Sequence, residues 1–434
     1  MRILFVSGFF PPNAPMGAVR PGKLHDHWTA QGHEVRAIAI DLKERTEGEA
    51  LRHPGVTYVP YSEPGQTLTK LRAGLRRAAA PRASGSEAPT PTAKVKSSDF
   101  DLAEIYRQIV LFPDRYGTWR GPAVRLGLAW AKDWMPDLIF SSGPPQSGHM
   151  VAARLAARLK RPWIAELRDL WAGNPYEDRH GFVRPFLERL ARRTLARAAA
   201  CVTVTRDAQS RMQALTRAPV ILSYNGYDPA DFAGLDDAAP LDDSRLTILH
   251  AGVIYPGRRD PSALFAAIAG LGTAARQVRC LFYHDETGAL PALARHYGIE
   301  GCVEVRERVA RAEILRVERQ ADVLLECRWN DPSADGVIPG KLFEYIGARR
   351  PILSLGSPTA EAAAIVRDNG LGLVSNDSSE IETWLRRCLA AKAARGRLPD
   401  VNPQSDRPFD RATQFRKIDA LIAEVLAGTA QRPS

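Results

Sequence analysis

The chain has 434 residues, 45% apolar and 25% charged, with 33 glycines and 32 prolines. That length exceeds one compact core and suits two globular domains. No run of 18 apolar residues occurs, so no membrane-spanning helix is expected. The five cysteines, Cys201, Cys280, Cys302, Cys327 and Cys388, are scattered without paired spacing, which favours a reducing compartment and no metal cluster. The formal charge of +10 is uneven: residues 1–230 hold 33 Lys+Arg against 21 Asp+Glu, the remainder 26 against 28. The first half is therefore expected to meet something anionic, an anionic membrane surface being one option. No nucleic-acid recognition motif accompanies the charge, so a nucleic-acid partner is not expected.

In chain order, RILFVSGFF (2–10) reads as an apolar strand, followed by a loop containing Gly17, a helix over 20–31 and a second strand, HEVRAIAI (33–40). This opening predicts a parallel α/β domain, and its apolar core is too short for a signal peptide. GVTYVPY (55–61) supplies a third strand. Residues 81–98, rich in Pro, Ser, Ala and Thr, predict a mobile insertion, and 102–114 a helical face cut by Pro113. A helix over 121–134 leads to a buried strand at 138–140 with its loop at 141–145. Next come a helix at 148–161, the strand PWIAEL, a helix at 183–200, the strand CVTVT, an N-cap at Thr205 and a helix at 207–216. RLTILHAG (245–252) opens a second series, with helices at 261–270, 288–297 and 311–319 between the strands RCLFYH, VEV and DVLLEC. The strand PILSL, a helix at 358–368 and tail helices at 380–393 and 407–428 complete it. The acidic, turn-rich stretch 226–244 predicts the linker between two Rossmann-like domains.

Ligands of doubly wound sheets bind beyond the C-terminal ends of the strands. The sequence places Gly17 and Arg20 there, then His149 after the 141–145 loop, then Glu166, Arg168 and Asp169. In the second series it places Gly252 through Arg259, and Lys341 with Glu344. Neither GxGxxG after the first strand nor GxxxxGK[ST] occurs, which disfavours nicotinamide, flavin and P-loop sites. In HAGVIYPGRRD the glycines let backbone approach an anion and Arg258 or Arg259 adds full charge, although the same glycines also serve a plain turn. In IPGKLFEYIGARRPIL (338–353), Lys341 and Glu344 are three apart on one helix face. A lysine beside outward N–H groups suits phosphate, and a glutamate can accept both hydroxyls of a ribose. The alternative is an intrahelical Lys–Glu pair worth about 0.2–0.5 kcal/mol.

Residues 338–353 resemble the donor-binding segment of retaining glycosyltransferases of the two-domain GT-B fold, in the group 1/family 4 class acting on cell-surface polysaccharide or lipid-linked acceptors. SGFFPP with Gly17 and Arg20, GHEVRAIAI, SSGPPQSGH with PWIAELRDLW, YNGYDPADF and HAGVIYPGRRDP resemble further segments of that class in the same order. The resemblance implies an α/β GT-B architecture of two facing Rossmann-like domains with parallel sheets and a cleft: an acceptor domain over 1–228, a nucleotide-sugar domain over 229–395, and a helical tail over 396–434 returning to the first domain. It implies transfer of a sugar, with retention, from a nucleoside diphosphate-sugar to a glycan, polyprenyl- or other lipid-linked, or small-molecule hydroxyl acceptor, with no metal and no other cofactor. Glu344 would bind the ribose, Arg259 and Lys341 would neutralise the diphosphate during catalysis with Arg258 beside them, and the segment around Arg306 would meet the base. Gly17 and Gly252 would let backbone approach the donor, while His149, Arg168 and Asp169 would face the cleft.

The chain departs from the pattern in places. Gly336 stands where the class often has a first glutamate, with Asp335 adjacent as a substitute, and Val253 stands where an arginine is usual. Arginines at 72, 76, 77, 189, 192, 193 and 197, interleaved with Leu68, Leu71, Leu75, Trp119, Trp130 and Trp134, suggest a cytoplasmic protein peripheral at an anionic membrane, or else ordinary solvated helix faces. Two rival readings stay open. A GT-B-type nucleotide-sugar epimerase would release a new sugar isomer without acceptor. A non-catalytic nucleotide-sugar-binding or scaffold protein with a decayed site would gain no stability from any nucleotide.

Overall fold

The computed structural model describes residues 1–12, 15–42, 53–62, 111–172, 183–235, 238–255, 257–283, 288–401 and 406–430. The insertion expected at 81–98, most of the helix expected at 102–114, and the arginines at 72, 76 and 77 lie outside them. Two compact units form. The first comprises Met1–Val202, Met212–Val220 and Ile422–Ser434, the second Thr203–Arg211 and Ile221–Leu421.

The first sheet contains β1 (Arg2–Ser7), β2 (Glu34–Asp41), β3 (Val56–Pro60), β4 (Leu138–Gly143), β5 (Trp163–Leu167), β6 (Ala200–Thr203) and β7 (Val220–Leu222). Its order is β3-β2-β1-β4-β5-β6-β7, and the pairs from β3 through β5 are parallel. Strands covered on both faces need apolar residues at consecutive positions rather than at alternate ones. β1 obeys this: Ile3, Leu4, Phe5 and Val6 are all buried. Phe5 meets Phe10, Trp28 and Phe140 edge-on at 5.5–5.7 Å, an arrangement the ring quadrupoles favour. Helix Pro15–Ala30 returns from β1 to β2, and the helix beginning at Arg206 is capped as anticipated, Thr205 Oγ1 accepting from Ala208 N at 3.1 Å.

The second sheet contains β8 (Leu246–Ala251), β9 (Val278–Tyr283), β10 (Val303–Arg306), β11 (Val323–Cys327), β12 (Ile352–Leu355) and β13 (Gly372–Val374). All its neighbours are parallel, in the order β10-β9-β8-β11-β12-β13. Strand order thus reverses between β1 and β4 in one sheet and between β8 and β11 in the other. Sequence reading anticipates neither β7 nor β13. β13 is three residues long and opens on a glycine, which weakens any strand signal. The glycine is required: at φ 155° a Cβ on Gly372 would lie 2.0 Å from the Ile352 carbonyl oxygen.

Two sequence expectations are corrected by burial. Trp119 and Trp134 do not face a membrane. They are 0% and 4% exposed, and their indole N–H groups donate to the Ala39 carbonyl at 3.3 Å and to Glu34 Oε2 at 2.9 Å. Arg20 and Glu166 are not open polar groups at the strand ends. They form a buried pair, Nε and Nη2 each 2.9 Å from Oε1, while Ser142 Oγ donates to Oε2 at 2.6 Å. This pair ties helix Pro15–Ala30 to β5. Removing one partner of a buried pair strands the other charge, so Glu166→Ala is expected to lower the unfolding free energy by about 3–5 kcal/mol. Urea denaturation reads it, and a loss below about 1 kcal/mol would mean the pair behaves as a surface one.

Candidate functional site

In the second unit the site is built at the strand-order reversal. β8 ends at Ala251, and Gly252 follows, where an added Cβ would lie 3.2 Å from His250 Nε2 and 3.4 Å from Lys341 Cε. A side chain there would fill the space that backbone and lysine share. The turn beyond Gly252 is held by the Arg259 amide donating to the Tyr255 carbonyl at 2.8 Å. It carries Arg259 back over the Tyr255 ring, 5.6 Å from its centre. Helix Gly340–Gly347 delivers Lys341 and Glu344. Its anchor is Tyr345, fully buried, whose hydroxyl accepts from the Ala251 amide at 3.1 Å. No side chain caps this helix; Pro339 precedes it in extended conformation. Its first N–H groups therefore keep their partial positive charge beside Lys341.

His250 reports the field of this cluster. Its Nδ1 lies 2.8 Å from the Leu325 carbonyl oxygen. A carbonyl only accepts, so Nδ1 carries the hydrogen and Nε2 is a bare acceptor, buried and without a protein partner. Burial first, then the nearby charges of Lys341 and Arg259, lower its pKa to about 4. The two cations therefore converge on the same strand end.

Glu344 does not pair with Lys341. It is held by Arg311, whose Nη2 lies 3.0 Å from Glu344 Oε1 and 2.8 Å from Asp231 Oδ2. The Lys341 ammonium is left without an ion pair among the described residues. Behind Glu344 lies Glu318, fully buried, with neither carboxylate oxygen hydrogen-bonded. Burial, reinforced by Glu344, raises its carboxyl well above the usual carboxylate range. Arg311 and Glu318 belong to one helix, Arg311–Gln320, at positions seven apart and hence on one face. Sequence reasoning singled out neither, although that spacing after the β10 strand end was the available signal. It also passed over His250, whose role depends on β11.

Other candidates lie apart from this cluster. Arg258 stacks on Trp329, 4.5 Å from the ring centre. Arg306, exposed at the end of β10, is held by Glu304 at 2.7 Å and the Tyr283 hydroxyl at 3.3 Å. Asp335 accepts from Thr359 Oγ1 at 2.6 Å. At Gly336 an added Cβ would lie 2.4 Å from Asp207 Oδ2, so an acid cannot stand there unless Asp207 moves.

In the first unit the strand ends form a separate cluster. Arg168 donates to the carbonyls of Gly17 at 2.6 Å and Pro144 at 3.0 Å, joining the loops after β1 and β4. A Cβ on Gly17 would press on Phe9 at 3.0 Å. His149 is fully buried, its Nδ1 2.8 Å from Ser141 Oγ, which also accepts from Trp163 Nε1 at 2.8 Å. Its Nε2 packs on Gly143 without a hydrogen-bond partner. Burial and the Arg168 charge lower its pKa to about 3. His149 is thus a buried neutral imidazole and not an open one, whereas Asp169 is exposed.

Against known proteins, residues 17–226 match the model of the glycosyl transferase 4-like domain. A search of curated proteins finds no sequence match. Among solved structures the chain is similar to Anabaena HepE in complex with UDP, at 15% identity and TM-score 0.61 over 98% of this chain and 100% of that one. It is similar to sucrose-phosphate synthase from Thermosynechococcus elongatus, at 12% identity and TM-score 0.61 over 98% and 99%. It is also similar to the lipopolysaccharide outer core galactosyltransferase WaaB, at 12% identity and TM-score 0.60 over 98% and 99%. At such identities the likeness is one of fold: two parallel-sheet Rossmann-like units, as in GT-B glycosyltransferases.

The two buried histidines, His149 and His250, give stability an expected pH dependence. An unfolded imidazole protonates near pH 6.5 and His250 in the fold only near 4, so the unfolded state binds the proton first. Stability is full above pH 6.5 and falls toward pH 4, by about 3 kcal/mol for this group. His149 adds a second group of the same sign. His250→Asn, which keeps a donor toward Leu325, is expected to flatten part of that decline in pH-dependent thermal denaturation; an unchanged profile would assign the titration to other groups.

Proposed function

We propose that the chain is a glycosyltransferase that moves a sugar, with retention of anomeric configuration, from a nucleoside diphosphate-sugar to a hydroxyl of a glycan or lipid-linked acceptor. The observation that carries this reading is the convergence of Arg259, Lys341 and an uncapped helix start on Gly252, with Glu344 one helical turn further on. A diphosphate approaching Gly252 would meet two cations and backbone N–H groups, while Glu344 offers a carboxylate to the ribose. As the bond to the leaving diphosphate breaks, charge grows on the phosphate oxygens, and preorganised cations lower that barrier. Lys341 and Arg259 would take this part without a metal ion. The bare His250 Nε2 would add an acceptor for a donor hydroxyl. Anabaena HepE is described with UDP and with UDP-glucose, which makes UDP the first nucleotide to test.

Calorimetry tests the donor side. UDP is expected to bind the wild-type chain, and Glu344→Ala to weaken binding at least about tenfold, roughly 1.4 kcal/mol, with the fold intact by circular dichroism. Equal affinity in the variant would remove Glu344 from the donor site.

On the acceptor side, the first unit carries two adjoining grooves of about 540 and 380 Å³ that share Met150, Arg154 and Arg158. Arg120 and Arg125 line one, Arg193 and Arg197 the other, and no carboxylate lines either. Phe186, 64% exposed, precedes Arg193 by seven residues, two turns along helix Arg184–Leu195. Guanidinium groups beside a projecting aromatic ring favour an anionic membrane surface. No helix among the described residues is long and apolar enough to cross a membrane. The expected result is salt-sensitive sedimentation with phosphatidylglycerol vesicles but not with phosphatidylcholine ones, largely lost when Arg154, Arg158 and Arg193 are changed to Gln. Sedimentation unaffected by those changes would assign membrane contact to another surface.

A further inference from the structure

The cysteines supply no metal site, yet the fold assembles a different set of ligands at the opposite end of the first sheet. His25 and Asp26 lie in the second half of helix Pro15–Ala30, and His53 lies just before β3. A parallel β–α–β crossover brings the end of its helix to the N-terminal edge of the sheet. Accordingly His25 Nε2 and the Val35 carbonyl, at the start of β2, both lie within 3.2 Å of the Cβ position of Gly55, at the start of β3. The strand C-termini, where the Arg168 and His149 cluster lies, are at the other edge.

One ligand atom from each of His25, Asp26 and His53 falls within 4.8 Å of the others. His53 Nε2 is 2.9 Å and His25 Nδ1 3.8 Å from the same Asp26 oxygen, Oδ1. The two imidazole rings meet nearly at right angles, 84°, with centres 4.7 Å apart. In a tetrahedral site with metal bonds of about 2.0–2.2 Å, ligand atoms stand about 3.3–3.6 Å apart, so the observed spacings need only small side-chain rotations.

The hydrogen bonds agree with this use. His53 Nδ1 is 3.0 Å from the Pro54 carbonyl oxygen, which can only accept. With Nδ1 thus the donor to Pro54, Nε2 is the nitrogen turned to Asp26: it donates a hydrogen to the carboxylate in the metal-free fold, and a metal ion would take that hydrogen's place between them. A backbone carbonyl on the far nitrogen is the usual support of a metal-bound histidine. His25 is 4% exposed, and its Nδ1 has no hydrogen-bond partner although Asp26 stands before it. Asp26 is open to solvent, its side chain 59% exposed, which leaves room for a water as fourth ligand.

We propose that His25, Asp26 and His53 bind one divalent transition-metal ion of the zinc type, which staples helix Pro15–Ala30 to the entry of the edge strand β3. Two imidazoles and one carboxylate suit zinc and its neighbours better than magnesium or calcium. The ion is structural: it stands at the N-terminal ends of the first sheet's strands, and Gly252, Arg259, Lys341 and Glu344 belong to the other unit, so nucleotide binding is not expected to depend on it.

Zinc titration of chelator-treated full-length protein, followed by calorimetry, elemental analysis after desalting and thermal denaturation, tests the assignment. One zinc per chain and a midpoint raised by at least about 3 °C at saturating metal are expected. His53→Ala and the surface variant Asp26→Asn should each weaken zinc at least about tenfold while leaving the response to UDP, if any, as in wild type. Asp26 is exposed, so its variant stays folded and keeps the test informative if His53→Ala does not. No stoichiometric zinc, or zinc bound equally well by Asp26→Asn and His53→Ala, would overturn the proposal and leave the cluster as a His53–Asp26 ion pair.

Discussion

Each sheet of this chain has one place where adjacent strands send their helices in opposite directions, and the chemistry of each unit collects there. In the second sheet the reversal falls between β8 and β11, and Gly252 follows the end of β8. Helix Gly340–Gly347 is anchored to that strand end because Tyr345 is tied to the Ala251 amide inside the core. Lys341, four residues earlier on the same helix, is thereby fixed relative to the β8 end. The position of Lys341 follows from topology and one buried tyrosine, whereas Arg259 is also held over the Tyr255 ring.

The electrostatics of the second unit are arranged around unbalanced neighbours. Glu344 is answered by Arg311, and Arg311 also by Asp231. Glu318 has no such answer, and a buried lone carboxylate would be costly to ionise; with its proton held on, it adds no second negative charge beside Glu344. In that form Glu318 does not offset the positive charge of Arg259 and Lys341. In the first unit the logic differs. Arg168 donates to the Gly17 and Pro144 carbonyls and joins two loops, while Arg20 pairs with Glu166 and ties a helix to β5.

Reading the sequence went furthest where periodicity and strand ends coincide. Buried parallel strands announce themselves as continuous apolar runs, so all the described strands except β7 and β13, and the helices between them, were visible in advance. β13 was not, because Gly372 is there to avoid the Ile352 carbonyl and not to favour a strand. For the site, Gly252, Arg259, Lys341 and Glu344 were legible because each follows a strand or starts a helix. Their partners were not: that Arg311 meets Glu344 and that Glu318 lies beneath it depends on how separate helices pack, which no local pattern encodes. Trp119 and Trp134 failed for the complementary reason. Large apolar residues beside basic ones fit a membrane face and a buried indole with one hydrogen-bond partner equally well, and only the packed core distinguishes them.

The close approach at Gly336 bears on how this chain can change over evolutionary time. Asp207 occupies the volume that any side chain at position 336 would enter. An acid at 336 therefore requires Asp207 to shift or be replaced. The two positions, far apart in the sequence, are coupled by this contact, and their substitutions are not expected to add independently.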